Sequence, residues 1–135
     1  MAATVQSPAA RPRRRGKPLL FLLLVLIVVI GGFALYVWST LHLSYSNGER
    51  AGYVQKFSRK GWVCKTWEGE LAMVNLPGTM PELFRFSVRD DAVAASVNQS
   101  LGQRVRLHYE QHKGVPGNCF GETEYFVNKV EPVAP

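Results

Sequence analysis

The sequence predicts a single N-terminal membrane-spanning helix followed by one small β-rich barrel, with elements in the order β-β-β-α-β-β. Three observations lead there. The first is Leu19 to Trp38 (LLFLLLVLIVVIGGFALYVW), twenty residues without a charge. Coiled at 1.5 Å per residue, that run spans about 30 Å, the thickness of a bilayer's hydrocarbon core. The second is a period-two alternation of apolar and polar side chains in short runs after residue 50. The third is one four-residue apolar spacing, Val93, Val97 and Leu101, lying between the third and fourth of those runs.

Charge places the apolar run. The chain has 135 residues and a net charge of +6, and Arg11, Arg13, Arg14, Arg15 and Lys17 all precede the run. The eleven basic residues that follow face ten acidic ones, so the folded part is near neutrality. The basicity therefore reads as a topology signal: N-terminus cytoplasmic, C-terminal domain outside. No nucleic acid is expected as a partner. Gly32-Phe33-Ala34 looks like a signal-peptide cleavage site. The apolar run nevertheless continues through Leu35 to Trp38, with Tyr36 and Trp38 suited to the far interface. A retained anchor is expected, with the lipid bilayer as partner through Leu19 to Trp38. The organisation read from the sequence is a disordered tail over 1–17, a transmembrane helix over 18–41, a stalk over 42–50 and a domain over 51–131.

Within the domain, Ala51–Ser58 is rich in β-formers and reads as the first strand. Trp67–Val74 sets Trp67, Gly69, Leu71 and Met73 against Glu68, Glu70 and Ala72, a half-buried second strand. Pro77-Gly78 and Pro81 mark a loop over 75–82. Leu83–Arg89 puts Phe84, Phe86 and Val88 on one face and Arg85, Ser87 and Arg89 on the other. Asp90 or Asp91 caps the helix, and Gly102 sits where a left-handed C-terminal residue is wanted. Gln103–Gln111 and Glu122–Val130 are the last strands, separated by a loop with three glycines. Five strands with a helix between the third and fourth match the OB-fold, a partly open Greek-key barrel. The alternative is an open antiparallel sheet packed on the helix, an α+β arrangement.

Four stretches carry a resemblance: Tyr45–Arg50 (YSNGER), Val54–Ser58 (VQKFS), Cys64–Leu71 (CKTWEGEL) and Val105–Glu110 (VRLHYE). Together they resemble a family of short bacterial single-pass membrane proteins of unassigned function, some of which carry an inherited phosphogluconate dehydrogenase name. The likeness covers roughly residues 40–130, and KTWEGEL is its most specific part. It implies a membrane-anchored domain; with the charge reading, the expected place is the bacterial inner membrane, N-terminus cytoplasmic and domain periplasmic or otherwise extracytoplasmic. It implies no chemistry.

The dehydrogenase name fails on physical grounds. A dinucleotide fold needs G-x-G-x-x-G between a strand and a helix. Gly114, Gly117 and Gly121 have other spacings and lie between two strands. No cofactor is expected. Glu68 and Glu70 share a predicted strand face about 7 Å apart, which is glycosidase-like, so a small hydrolase using that pair is one alternative function. Alternating charge on a solvent face is the commoner meaning. His108, Glu110 and His112 also share a face, but the two imidazoles would stand about 13 Å apart on an extended strand. No metal site is expected.

The stretch Ser58–Gly69 (SRKGWVCKTWEG) reads as the first loop, a region that OB-folds use for ligands. It interleaves Arg59, Lys60 and Lys65 with Trp62 and Trp67, a pattern that fits a ligand or partner surface. The bland reading makes Trp67 core and Trp62 a plug at the barrel end. Cys64 and Cys119 are the only cysteines, and an even count outside the cytoplasm favours a disulfide. The best expectation is a membrane-anchored extracytoplasmic binding or assembly module with a membrane or envelope protein partner. A cytoplasmic nucleic-acid-binding OB domain of inverted topology is the other alternative.

Overall fold

The computed structural model describes residues 2–5, 7, 9–10, 16–73 and 76–134. Arg11, Arg13, Arg14 and Arg15, on which the expected disordered tail centres, lie outside the described residues, as does Val74 at the expected end of the second strand. The chain divides into two compact units, 1–35 and 36–135. The first is dominated by α1 (Gly16–His42), whose last turns belong to the second. With a mean hydropathy of 3.0 over its most apolar stretch, α1 is long and apolar enough to cross a membrane.

The second unit holds β1 (Ser46–Lys60), β2 (Thr66–Met73), β3 (Leu83–Val88), α2 (Asp91–Gln99), β4 (Arg104–Gln111) and β5 (Tyr125–Pro132), the predicted order. The strands run β1-β2-β3-β5-β4 around the sheet, and β4 pairs back with β1, so the order closes on itself. This is not the open antiparallel alternative. β1 makes closure work: its first half pairs with β4, its second half with β2, and an irregularity between Val54 and Lys56 bends it from one neighbour to the other. The sheet is mixed, because β3 and β5 are parallel and meet at one residue pair, Ser87 with Phe126.

Inward-facing side chains of all five strands form one core cluster with Ala94 and Val97 of α2. Val54, Leu71, Phe86, Val105, Leu107 and Val97 are fully buried there. Asp90 is the helix cap, its Oδ1 accepting from the Ala92 and Val93 amides at 2.7 and 3.1 Å. The apolar stripe is shorter than the sequence spacing implies: Ala94 and Val97 are buried, but Leu101 lies past the helix end and bridges to Val54.

Two boundaries are corrected. The domain begins before Ala51: Ser46–Arg50, expected as stalk, pair with β4, and Asn47-Gly48 sits opposite Glu110 and Tyr109 instead of turning. A turn-forming dipeptide stays extended here because the ladder satisfies its backbone groups. The stalk reduces to 43–45. The first loop is likewise shorter than 58–69, since β1 and β2 continue pairing to Lys60 and Thr66.

Candidate functional site

Five residues, Gly61–Lys65, remain to join β1 to β2. Gly61 has φ of 130°, and a Cβ there would meet the Cys64 carbonyl oxygen at 1.8 Å, so this turn requires glycine. Cys64 is disulfide-bonded to Cys119, with Cα atoms 4.8 Å apart. The turn is thus tied at its base to the loop 112–124 between β4 and β5. Trp62 and Val63 form the tip and are 100% and 96% exposed. Trp62 is therefore not a plug: Trp67 already closes that end of the barrel, half-buried and stacked on Phe57 at 5.2 Å.

Trp67 anchors the candidate site. Its indole N–H donates to Asp91 Oδ1 at 3.2 Å, and the Arg59 guanidinium lies 5.6 Å from its ring centroid. Arg89 lies 5.8 Å from the ring of Phe120. These groups and Lys65 border an open cleft of about 270 Å³ beside Cys119. Among the described residues, Arg59, Lys65 and Arg89 form no ion pair. The cleft presents three cations, two of them over aromatic rings, against one carboxylate, Asp91, and its net positive charge suits a planar or anionic group.

Of the five residues singled out from sequence, the fold gathers Arg59, Lys65 and Trp67 in this cleft. Trp62 stands alone at the tip. Lys60 faces a separate cleft of about 110 Å³ with Lys56 and Arg85, because adjacent strand residues point to opposite faces. Arg89, Asp91 and Phe120 were not singled out. Adjacency to Cys119 was the one signal that pointed to Phe120.

The acidic pair is not a matched dyad. Glu68 was expected on a solvent face but is buried, 6% exposed. Its Oε1 accepts from the Thr66 hydroxyl at 2.7 Å and from the Glu122 amide at 2.9 Å, and its Oε2 accepts from the Ser87 hydroxyl at 2.6 Å. Ser87, also expected outside, is fully buried. The cause is the loop after β4, which folds back over the outer face of β2 and β3. Gly121 lies so close that a Cβ would meet Ser87 Cβ and Oγ at 2.8 Å. Glu70 stays half-exposed, 3.6 Å from Arg85.

The histidines also part company. His108 lies between two carboxylates, Nδ1 at 2.9 Å from Glu49 and Nε2 at 3.1 Å from Glu131. Hydrogen bonds from Lys129 and then His108 hold the Glu131 carboxyl down at about 2. His112 was expected on a solvated face but is buried: its Nδ1 donates to the Thr40 carbonyl at 2.9 Å and its Nε2 lies 3.3 Å from Glu110. Thr40 is in the last turn of α1, where carbonyls lack helical partners, and His112 supplies one. Tyr36 donates to the Gly114 carbonyl at 2.6 Å. Among the described residues no group of three or more His, Cys, Asp or Glu is placed to hold a metal ion.

A family model described as a domain of unknown function (DUF8785) matches residues 44–135. No curated protein matches the chain. Among solved structures, the chain is similar to the mitochondrial single-stranded DNA binding protein Rim1 of S. cerevisiae, with a TM-score of 0.51 and 7% identity over 67% of this chain and 96% of that one. At that identity the likeness concerns the fold alone: the domain is an OB-fold.

Proposed function

The chain belongs to this family of domains of unknown function, and we propose that it is a membrane-anchored, extracytoplasmic binding or assembly module. Three observations support the reading. The apolar α1 supplies an anchor. The Cys64–Cys119 bond suits an oxidising compartment. The third carries most weight: Arg59, Lys65 and Arg89 are grouped, without ion pairs among the described residues, around Trp67 and Phe120. Three cations against one carboxylate, Asp91, beside a disulfide-tied loop are a preformed receptor for an acidic segment of an envelope protein, with little ordering left to do on binding.

Two other readings fit less well. Stacking rings and cations also serve single-stranded nucleic acid, and the solved neighbour is a DNA-binding protein. The disulfide and the cluster of basic residues before α1 favour the outside of the cell over that ligand. A hydrolase using Glu68 and Glu70 is disfavoured because Glu68 already accepts three hydrogen bonds and Glu70 pairs with Arg85.

A photo-crosslinking residue in place of Lys65, in the full chain in its native membrane, tests the proposal. The expected result is a discrete protein adduct that disappears in an Arg59→Ala/Arg89→Ala background. An adduct pattern indifferent to those two cations would overturn it.

A further inference from the structure

We propose that the tip of the first loop, Trp62 and Val63, docks into the anionic headgroup layer of the bilayer that anchors the chain. The inference rests on α1 being a membrane anchor and shares only Lys65 with the cleft. Three observations carry it. Trp62 and Val63 are almost fully exposed and adjacent, and the Gly61 turn and the disulfide at Cys64 hold them outward. Exposing an indole and an isopropyl group to water forfeits the burial that either side chain would gain in an apolar setting. Tryptophan in particular settles at a membrane interface, where its ring is buried and its N–H remains hydrated.

The flanking charges identify the surface. Lys60 and Lys65 bracket the turn, and neither forms an ion pair among the described residues. An apolar tip between two cations fits anionic phospholipid, whose surface potential attracts lysines held near it.

Reach is the third argument. Tyr36 lies two residues before the end of the apolar run, and its hydroxyl donates to the Gly114 carbonyl. From Gly114 the chain runs five residues to Cys119, crosses the disulfide to Cys64, and reaches Trp62 two residues back. Fully extended, that path is at most about 30 Å, so the tip cannot lie farther than that from Gly114, whose carbonyl the Tyr36 hydroxyl holds. Only 43–45 separate α1 from β1, so the tether keeps headgroups at high local concentration around the tip.

The full chain in nanodiscs tests this through tryptophan fluorescence. Trp38→Phe removes the emitter inside the anchor, leaving Trp62 and Trp67. With lipids brominated near the headgroup and an anionic phosphatidylglycerol component, emission of this variant should shift to shorter wavelength and be quenched. Both effects should be lost on adding Trp62→Phe, which leaves only the half-buried Trp67. Quenching should weaken in purely zwitterionic discs and in high salt, where the Debye length shortens. Quenching of equal strength in zwitterionic discs would refute the anionic specificity. Trp62 emission that ignores brominated lipid while a photo-crosslinker at 62 captures protein would refute lipid docking in favour of a protein partner. A chain that fails to enter the discs would overturn the anchor reading and this one together, whereas one that enters with Trp62 unquenched overturns this one alone.

Discussion

The Ser87 hydroxyl donates a 2.6 Å hydrogen bond to the Glu68 carboxylate at the place where the barrel is held by the least backbone pairing. β3 and β5 share one residue pair there. Glu68 spans the gap, because its other oxygen accepts from the Glu122 amide just before β5. Thr123 adds an amide donated to Ser87 Oγ at 3.2 Å. Side chains thus do the work that a strand ladder does elsewhere in the sheet.

Ser87→Ala should therefore destabilise the domain by about 1–3 kcal/mol, the cost of leaving a buried carboxylate oxygen short of a donor. Glu68→Ala should cost more, since three donors lose their acceptor together. Urea unfolding of the full chain in detergent, followed by circular dichroism, measures both. Midpoints unchanged by either substitution would show that the seam does not depend on this cluster.

Reduction of Cys64–Cys119 removes a cross-link between residues 55 apart. The chain-entropy estimate for a loop of that length is about 4 kcal/mol, a large share of the stability of a small domain. Mass measurement after alkylation, with and without prior reduction, should find no free thiol before reduction and two after. Two alkylatable thiols in the unreduced, denatured protein from its native membrane would contradict the bond and the oxidising compartment together.

Acid should weaken the β4–β5 face. The Glu131 carboxyl is held at about 2 against an ordinary 4.5, first by Lys129 and then by His108. A depressed carboxylate contributes stability that is fully present above its unfolded value and lost as pH falls through the folded one. The window is thus about pH 4.5 down to 2, and Glu131→Gln should flatten the stability profile across it. A profile with the same slope in wild type and variant would remove Glu131 as the cause.

Val97 is fully buried in α2. Val97→Asp should unfold the domain, because an unpaired carboxylate would enter an apolar core. Leu101→Asp, at a half-exposed position past the helix end, should be tolerated far better. Equal thermal melts for the two variants would place the buried face of α2 elsewhere.

Protease added to the outer face of opened cells should digest the chain beyond about residue 42 and spare the N-terminus, if the basic residues before α1 orient it as the charge rule requires. Protection of the C-terminal half would reverse the topology and reopen the nucleic-acid reading.

Much of the architecture was legible because it rests on local periodicity. Val105, Leu107 and Tyr109 alternate, so β4 has a core face in any context that buries one side. Asp90 precedes an apolar spacing of four, so α2 has a cap and a face. The cleft was half legible: Arg59, Lys65 and Trp67 are near one another in sequence, whereas Arg89 and Phe120 arrive from the end of β3 and from the loop after β4. The acidic pair was misplaced for a related reason. Alternation says which residues share a face, but not whether a distant loop will cover that face.

The sequence by itself determined the apolar helix, the strand count and order, the capped helix between the third and fourth strands, and the one disulfide its two cysteines allow. Those follow from hydrophobic period, turn chemistry and cysteine number, properties that residues carry with their near neighbours. Only the tertiary structure decided that Glu68 and Ser87 are buried, that His112 caps α1, that Lys60 and Arg59 serve different clefts, and that Trp62 stands in solvent. The burial of Glu68 and Ser87 and the capping of α1 depend on where the loop 112–124 lies, and that loop is placed by contacts with residues from 31 to 78 positions away. Short-range pattern carries no record of such contacts, because their free energy comes from groups that meet only once the barrel has closed.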